Sequence, residues 1–317
     1  MSFKYYLSTI TLFIGMFFYM LGNCSAISLQ PVGKKAARET FASLTAPNAA
    51  EPLSCPQVVF AESSIPEDSS LLWLVSRDNR LSSCYTPTNL VDYNGIKLHD
   101  VAHKAFMEMQ AAMVANKIYG LKLQSAYRTY DYQHTIYSKK VQELVKSGYC
   151  QQQAETTAAQ TVQPPGASEH QLGLALDVSI DGKLTQAFGE TEAGIWLQEN
   201  CHNYGFIIRY PGSKTEITQI VYEPWHLRYV GTPHATIMKK LDMTLEEYLS
   251  YIKEIQAYVH WGEDNNYCLI MYSDTLQIQL PPEAITASAS SFNSNKNEFA
   301  IIICKMYPDI WNTDAEN

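Results

Sequence analysis

Pro165-Gly166-Ala167-Ser168-Glu169-His170-Gln171-Leu172-Gly173-Leu174-Ala175-Leu176-Asp177-Val178-Ser179-Ile180 is the stretch on which the reading of this 317-residue chain turns. From Leu172 to Ile180 the large apolar side chains fall at every second position, the period of a strand with one buried face. Gly173, Ala175 and Asp177 take the other face, where two small residues beside one carboxylate leave room for a hydrated metal ion or a substrate. His170 does not share the parity of Asp177, so the two can meet only if the chain bends near Gln171. Downstream, Glu223-Pro224-Trp225-His226 poses the same question. Glu223 and His226 are an odd number of residues apart and Pro224 argues against a regular central strand, so a turn is expected to aim both inward. His170, Asp177 and His226 offer two nitrogens and an oxygen with a fourth position left for water, the composition of a catalytic zinc site. Glu223 is then a spare carboxylate able to take a proton from water. Each histidine taken singly is more often a core or surface residue, so the case rests on the set.

Three motifs in order resemble the signatures of the VanY-type D-alanyl-D-alanine carboxypeptidases, zinc peptidases that trim bacterial cell-wall stem peptides. They are Ser125-Ala126-Tyr127-Arg128-Thr129-Tyr130-Asp131-Tyr132-Gln133, Ser168-Glu169-His170 through Asp177, and Glu223-Pro224-Trp225-His226, and the likeness runs from about Leu72 to Leu249. The resemblance implies zinc on His170, Asp177 and His226, Glu223 as general base, and Arg128 steadying the scissile carbonyl oxygen or the substrate carboxylate. It implies substrate contacts from Ser168 and Gln133; apart from the resemblance, the strand predicted over Leu121–Ser125 delivers Tyr127, a further expected substrate contact, beside Arg128 at its end. Ala126 and Thr129 stand where relatives often carry Gly and Ser, both mild departures. The fold implied is α+β, resembling the Hedgehog and D-Ala-D-Ala peptidase scaffold: a central antiparallel sheet carrying the metal, with helices around it.

The net charge of -9 offers no basic footprint for nucleic acid, and 46% hydrophobic residues suffice for a packed core. Lys4, the uncharged apolar run Tyr5 to Leu21 and Cys24-Ser25-Ala26 read as a signal peptide over residues 1–26, with an uncleaved membrane anchor as the alternative and lipid attachment at Cys24 ranked below both. Export makes disulfides the expectation, paired by locality as Cys55 with Cys84, Cys150 with Cys201 and Cys268 with Cys304. Residues 27–70 read as a linker, 71–260 as the catalytic domain and 261–317 as a small β-rich extension. A monomer is expected.

Within the domain, helices are predicted over Val101–Ile118, Tyr132–Ser147, Glu192–Asn203 and Thr244–Tyr258, with a short one within Gln151–Gln163, and strands over Leu121–Ser125, Phe206–Tyr210, Ile217–Tyr222 and Leu227–Val230. Thr244 and Glu247 have capping-box spacing. In the extension, strands are predicted at Tyr267–Tyr272, Leu276–Leu280 and Phe299–Cys304. Two further motifs are decoys. His99-Asp100-Val101-Ala102-His103 mimics a zincin helix, but Asp is too short for the base and reads as a helix N-cap. Ser250-Tyr251-Ile252-Lys253 matches the serine-type pattern without its companion motifs.

The function expected is removal of the C-terminal D-alanine from peptidoglycan stem peptides. The rivals are an L,D-carboxypeptidase or endopeptidase on the same scaffold and a non-catalytic zinc-fold binding module.

Overall fold

The structure, a computed structural model, describes residues 57–59, 67–261, 267–274, 277–279, 286–295 and 298–305. The leader, Cys24, Cys55 and most of the expected linker lie outside these residues. Within the linker span, Gln57–Val59 pairs antiparallel with Gln277–Gln279, and a 3-10 turn covers Glu67–Leu72.

The region expected to carry the site opens with a hairpin of β1 (Leu90–Tyr93) and β2 (Ile96–His99), followed by α1 (Asp100–Ala115). In α1, Ala102, Ala105, Phe106, Met109 and Met113 form one buried stripe at helical spacing. Asp100 does not cap it. His99 holds the N-cap position but its side chain does not cap the helix, and Asp100, at the first helical position, sets Oδ1 3.0 Å from His99 Nδ1 while suiting the positive end of the helix. Then come β3 (Lys122–Ser125), α2 (Tyr130–Lys146), α3 (Gln151–Ala158), β4 (Ala175–Ser179), α4 (Glu192–Asn200), β5 (Phe206–Tyr210) and β6 (Glu223–Tyr229). The four strands make one antiparallel sheet in the order β3-β4-β6-β5. Leu174, Leu176 and Val178 pack with Phe106, Met109, Met113, Leu123, Phe206 and Leu227 in the core. Each such side chain taken fully out of water contributes roughly 1.5–3 kcal/mol.

Three local expectations are corrected. The strand predicted from Leu172 begins at Ala175, because Glu169–Leu172 is a 3-10 turn closed by Gly173 in the left-handed region. A Cβ on Gly173 would meet Leu90 Cδ2 at 2.9 Å and His99 N at 3.2 Å, so the turn needs glycine for space as well as for φ. Ile217–Tyr222 is not a strand: Thr215–Thr218 makes one helical turn and Gln219 takes a left-handed conformation. Pro224 does lie inside a central strand, at a break in register described below.

After β6, α5 (His234–Leu241) and α6 (Leu245–Ile255) follow, the latter opened by the Thr244 and Glu247 capping box. The chain leaves α6 at Gln256 instead of continuing to Tyr258, and β7 (Ala257–Trp261), β8 (Tyr267–Ser273), β9 (Thr286–Ser291) and β10 (Phe299–Lys305) form a second antiparallel sheet in the order β9-β10-β8-β7. The Trp73 indole donates to Ser291 Oγ at 2.6 Å, and Leu74 N donates to Phe292 O at 2.9 Å, tying this sheet to the start of the region expected to carry the site.

Two of the three expected cysteine pairs, Cys55 with Cys84 and Cys150 with Cys201, are corrected as well. Cys201 is buried, its thiol donating to Phe206 O at 3.4 Å, while Cys150 is exposed at the head of α3; both are free, as is exposed Cys84. Strand register sets Cys268 opposite Cys304, and their side chains lie outside the described residues.

Candidate active site

The bend required between His170 and Asp177 is the Glu169–Leu172 turn. It folds His170 back so that Nε2 lies 3.3 Å from Asp177 Oδ2. His226 enters from β6, where it is the register partner of Asp177 on β4, and its Nδ1 lies 3.3 Å from Asp177 Oδ1. Glu223 reaches the same point through a break in the pairing of β5 with β6. Ile208 pairs with Leu227 and Tyr210 with Glu223, so β6 carries two more residues than its partner across Pro224 to His226. A break of this kind tolerates the missing Pro224 N–H and re-aims side chains. Glu223 Oε2 ends 3.6 Å from His226 Nδ1.

The ligand atoms of His170, Asp177 and His226 all lie within 4.8 Å of one another on buried side chains. His170 Nδ1 is 2.6 Å from the Ala126 carbonyl, which holds the ring proton on that nitrogen and turns the Nε2 lone pair toward Asp177. Two imidazole nitrogens and one carboxylate oxygen converging in this way fit zinc with a position left for water.

The electrostatics set the two histidines apart. Burial, aided by Arg128, lowers His170 to about 4, so the ring is neutral and able to ligate. Burial works against the charge of Asp177, but His170 and His226 hold its carboxyl well below the usual range. Burial would also lower His226, yet Asp177 and Glu169 outweigh it and raise that ring to about 9, so a cation held there would have to displace the proton from Nδ1. Glu223 is pushed by burial up to about 7, with Asp177 adding to the rise and His226 and Arg128 opposing it.

Arg128 follows β3 and donates from Nη2 to Asp177 Oδ2 at 2.5 Å and from Nε to Ser125 Oγ at 3.0 Å, while its backbone N–H donates to His170 O at 3.1 Å. Arg128 thus makes a salt bridge, and makes it to a member of the candidate zinc set. Gln133 is buried on α2, donates to Gln163 O at 2.6 Å and has a side-chain oxygen without a hydrogen-bonding partner. Ser168 is buried two residues before His170, and Tyr127 is half-buried beside Arg128. Neither decoy joins the site: the three-ligand group is made only of His170, Asp177 and His226, and Ser250 Oγ donates to Glu246 O at 2.9 Å on exposed helix surface.

A buried ionic cluster behind the metal ligands went unread in the sequence. Glu169 Oε1 accepts from Arg209 Nε at 2.8 Å and has Arg228 Nη1 at 2.8 Å. Arg209 also donates to both carboxylate oxygens of Glu246 on α6, at 2.9 and 2.6 Å. Burial would raise Glu169, but Arg209 and Arg228 hold it charged, with its pKa lowered. The available signal was an arginine inside each of two otherwise apolar strands, Phe206-Ile207-Ile208-Arg209-Tyr210 and Leu227-Arg228-Tyr229, since a buried charge requires a partner.

The family profile described as VanY, D-alanyl-D-alanine carboxypeptidase, matches residues 95–232. YodJ of Bacillus subtilis (strain 168) is 37% identical over 204 residues, covering 61% of this chain and 71% of YodJ. The chain belongs to the VanY family of D-alanyl-D-alanine carboxypeptidases. It is accordingly a zinc metallopeptidase, and solved relatives agree. VanY from a VanB-type resistance cassette, in complex with Zn(II), is 40% identical, with a TM-score of 0.51 over 56% of this chain and 98% of that one. VanYB in complex with D-alanine-D-alanine is also 40% identical, with a TM-score of 0.52 over 56% of this chain and 97% of that one. The LD-carboxypeptidase LdcB is 35% identical, with a TM-score of 0.52 over 61% of this chain and 94% of that one.

Proposed function

We propose that this enzyme removes the C-terminal D-alanine from peptidoglycan stem peptides ending in D-Ala-D-Ala. The observation that carries the reading is a buried carboxyl, Glu223, poised 3.6 Å from a zinc-ligand nitrogen, in a chain similar to a protein solved with D-alanine-D-alanine. Zinc, when bound, supplies a Lewis acid that polarises the scissile carbonyl and makes water more acidic. Glu223 takes the proton of the attacking water and passes it to the departing amine, and a carboxyl that burial makes more basic suits both transfers. Arg128 presents a planar donor fork, partly exposed, to the oxyanion or the terminal carboxylate. Gln133 offers its unpartnered side-chain oxygen to a substrate N–H, and Ser168 and Tyr127 line the approach. Export through the N-terminal apolar run brings the enzyme to this substrate, which cell fractionation and N-terminal sequencing of the mature protein would check.

The test is incubation with defined pentapeptide and tetrapeptide muropeptides, read by mass spectrometry. The pentapeptide is expected to lose one alanine, with hydrolysis abolished by chelation and restored by zinc. Likeness to LdcB favours one second reading, L,D-carboxypeptidase activity. Cleavage of the tetrapeptide alone would establish it and overturn the first, and no cleavage of either would leave a binding module.

A further inference from the structure

Each histidine of the zinc set needs a group behind it that holds its ring proton away from the ion, since only a lone pair can ligate. For His170 that group is the Ala126 carbonyl. For His226 the nitrogen turned toward Asp177 is Nδ1, so the proton must sit on Nε2. The Nε2 atom is buried and faces Glu169 Oε2 at 3.8 Å, longer than a direct hydrogen bond, and among the described residues neither atom has a hydrogen-bonding partner. A buried donor and a buried charged acceptor, each otherwise unsatisfied, are set against one another. The remaining features of Glu169 serve to keep it there. Its side chain is fully buried, its other oxygen is held by Arg209 Nε and Arg228 Nη1, and Arg209 is itself clamped by Glu246. Arg228 is anchored in turn on the carbonyls of Leu71 and Trp73.

We infer that Glu169 is the positioning residue of the metal centre: in the zinc-loaded site its Oε2 closes the 3.8 Å gap and accepts from His226 Nε2–H, fixing the tautomer and the ring angle that give Nδ1 to zinc. The two arginines keep that carboxylate charged and immobile. This rests on zinc at the site and not on which peptide bond is cut, so the muropeptide assay can fail while this assignment stands.

The Glu169→Gln variant separates orientation from bulk. With both guanidinium groups against Oε1, the substituted amide keeps its oxygen there and turns its NH2 toward His226. It then donates to Nε2, and the ring proton moves to Nδ1, the nitrogen zinc requires. Zinc affinity, measured by chelator competition, is expected to fall on the order of 10- to 100-fold, the usual effect of losing such a partner. Val141→Ala serves as the control for lost stability, because Val141 is buried in a separate small cluster with Ala154 and Ala158. That control is expected to lower the melting temperature and leave zinc affinity within about twofold, a distant-site expectation. Wild-type zinc affinity in Glu169→Gln, or an equal loss in Val141→Ala, overturns the assignment. A measurement that needs no variant is imidazole NMR of the zinc-loaded wild-type protein. The His226 Nε2 proton is expected to be observable and slow to exchange with water, and a proton exchanging too fast to detect would overturn the assignment even if Glu169→Gln failed to fold.

Discussion

The two faces of β4 are equally buried and are held for opposite reasons. Leu174, Leu176 and Val178 show no exposure, and across the strand Ala175 shows none and Asp177 only 2%. The first face is stabilised by contact that has no direction and tolerates exchange of one apolar shape for another. The second carries a carboxylate that is costly to bury unless every neighbour is right, and each neighbour is polar: Arg128, His170 and His226. Burial alone, then, does not tell core from site. The chemistry of the partners does.

That contrast can be broken from the polar side first. Glu223→Ala is expected to keep bound zinc, because Glu223 is not in the ligand set, and to lose on the order of 10²- to 10⁴-fold in kcat for lack of the base. Metal analysis and steady-state kinetics on the pentapeptide check it, and full activity would reject the role. Arg128→Ala should follow, with a loss of roughly 10²- to 10³-fold if the guanidinium meets the oxyanion. If the salt bridge to Asp177 is its whole purpose, zinc affinity changes instead and kcat of the loaded enzyme does not. From the apolar side, Leu176→Ala is expected to lower the free energy of unfolding by about 2–5 kcal/mol through lost burial and a cavity. Denaturant titration reads that loss, and turnover per folded, zinc-loaded molecule should be preserved. Thr244→Ala touches neither face. It removes the hydroxyl that accepts from Glu247 N at 3.3 Å, with an expected cost of about 1 kcal/mol and no kinetic effect, which sets the baseline for the other three.

The sequence disclosed the apolar face and the ligands more readily than their support. The alternation from Leu174 to Val178 named the apolar face, though not that the opposite face is buried too, and the parity clash between His170 and Asp177 required a bend that the Glu169–Leu172 turn supplies. Other elements left no usable trace. Thr286–Ser291, a run of Ala, Ser and Thr, has no large apolar residues to alternate, so an Asn- and Ser-rich stretch hid a strand whose pairing to β10 is a matter of backbone hydrogen bonds. Ile217–Tyr222 has the composition of a strand, but tertiary context overrides it with a helical turn and a left-handed Gln219. Proximity along the chain was a poor guide to the cysteines, because Cys201 is drawn into the core behind α4 while Cys150 faces solvent. Glu169 escaped notice for a related reason: its partners Arg209 and Arg228 are remote in sequence and meet it only once β5 and β6 lie side by side.

The irregular pairing around Pro224 makes the distance between base and ligand a matter of counting. Two surplus residues rotate the chain so that positions three apart share a direction, which an ideal pleat forbids. Removing one residue between Glu223 and His226 would restore an even interval, yet it would swing one of the two side chains out of phase with the other. The spacing is indexed to the misfit itself, so this short segment should accept a changed side chain at position 225 far more readily than a changed length.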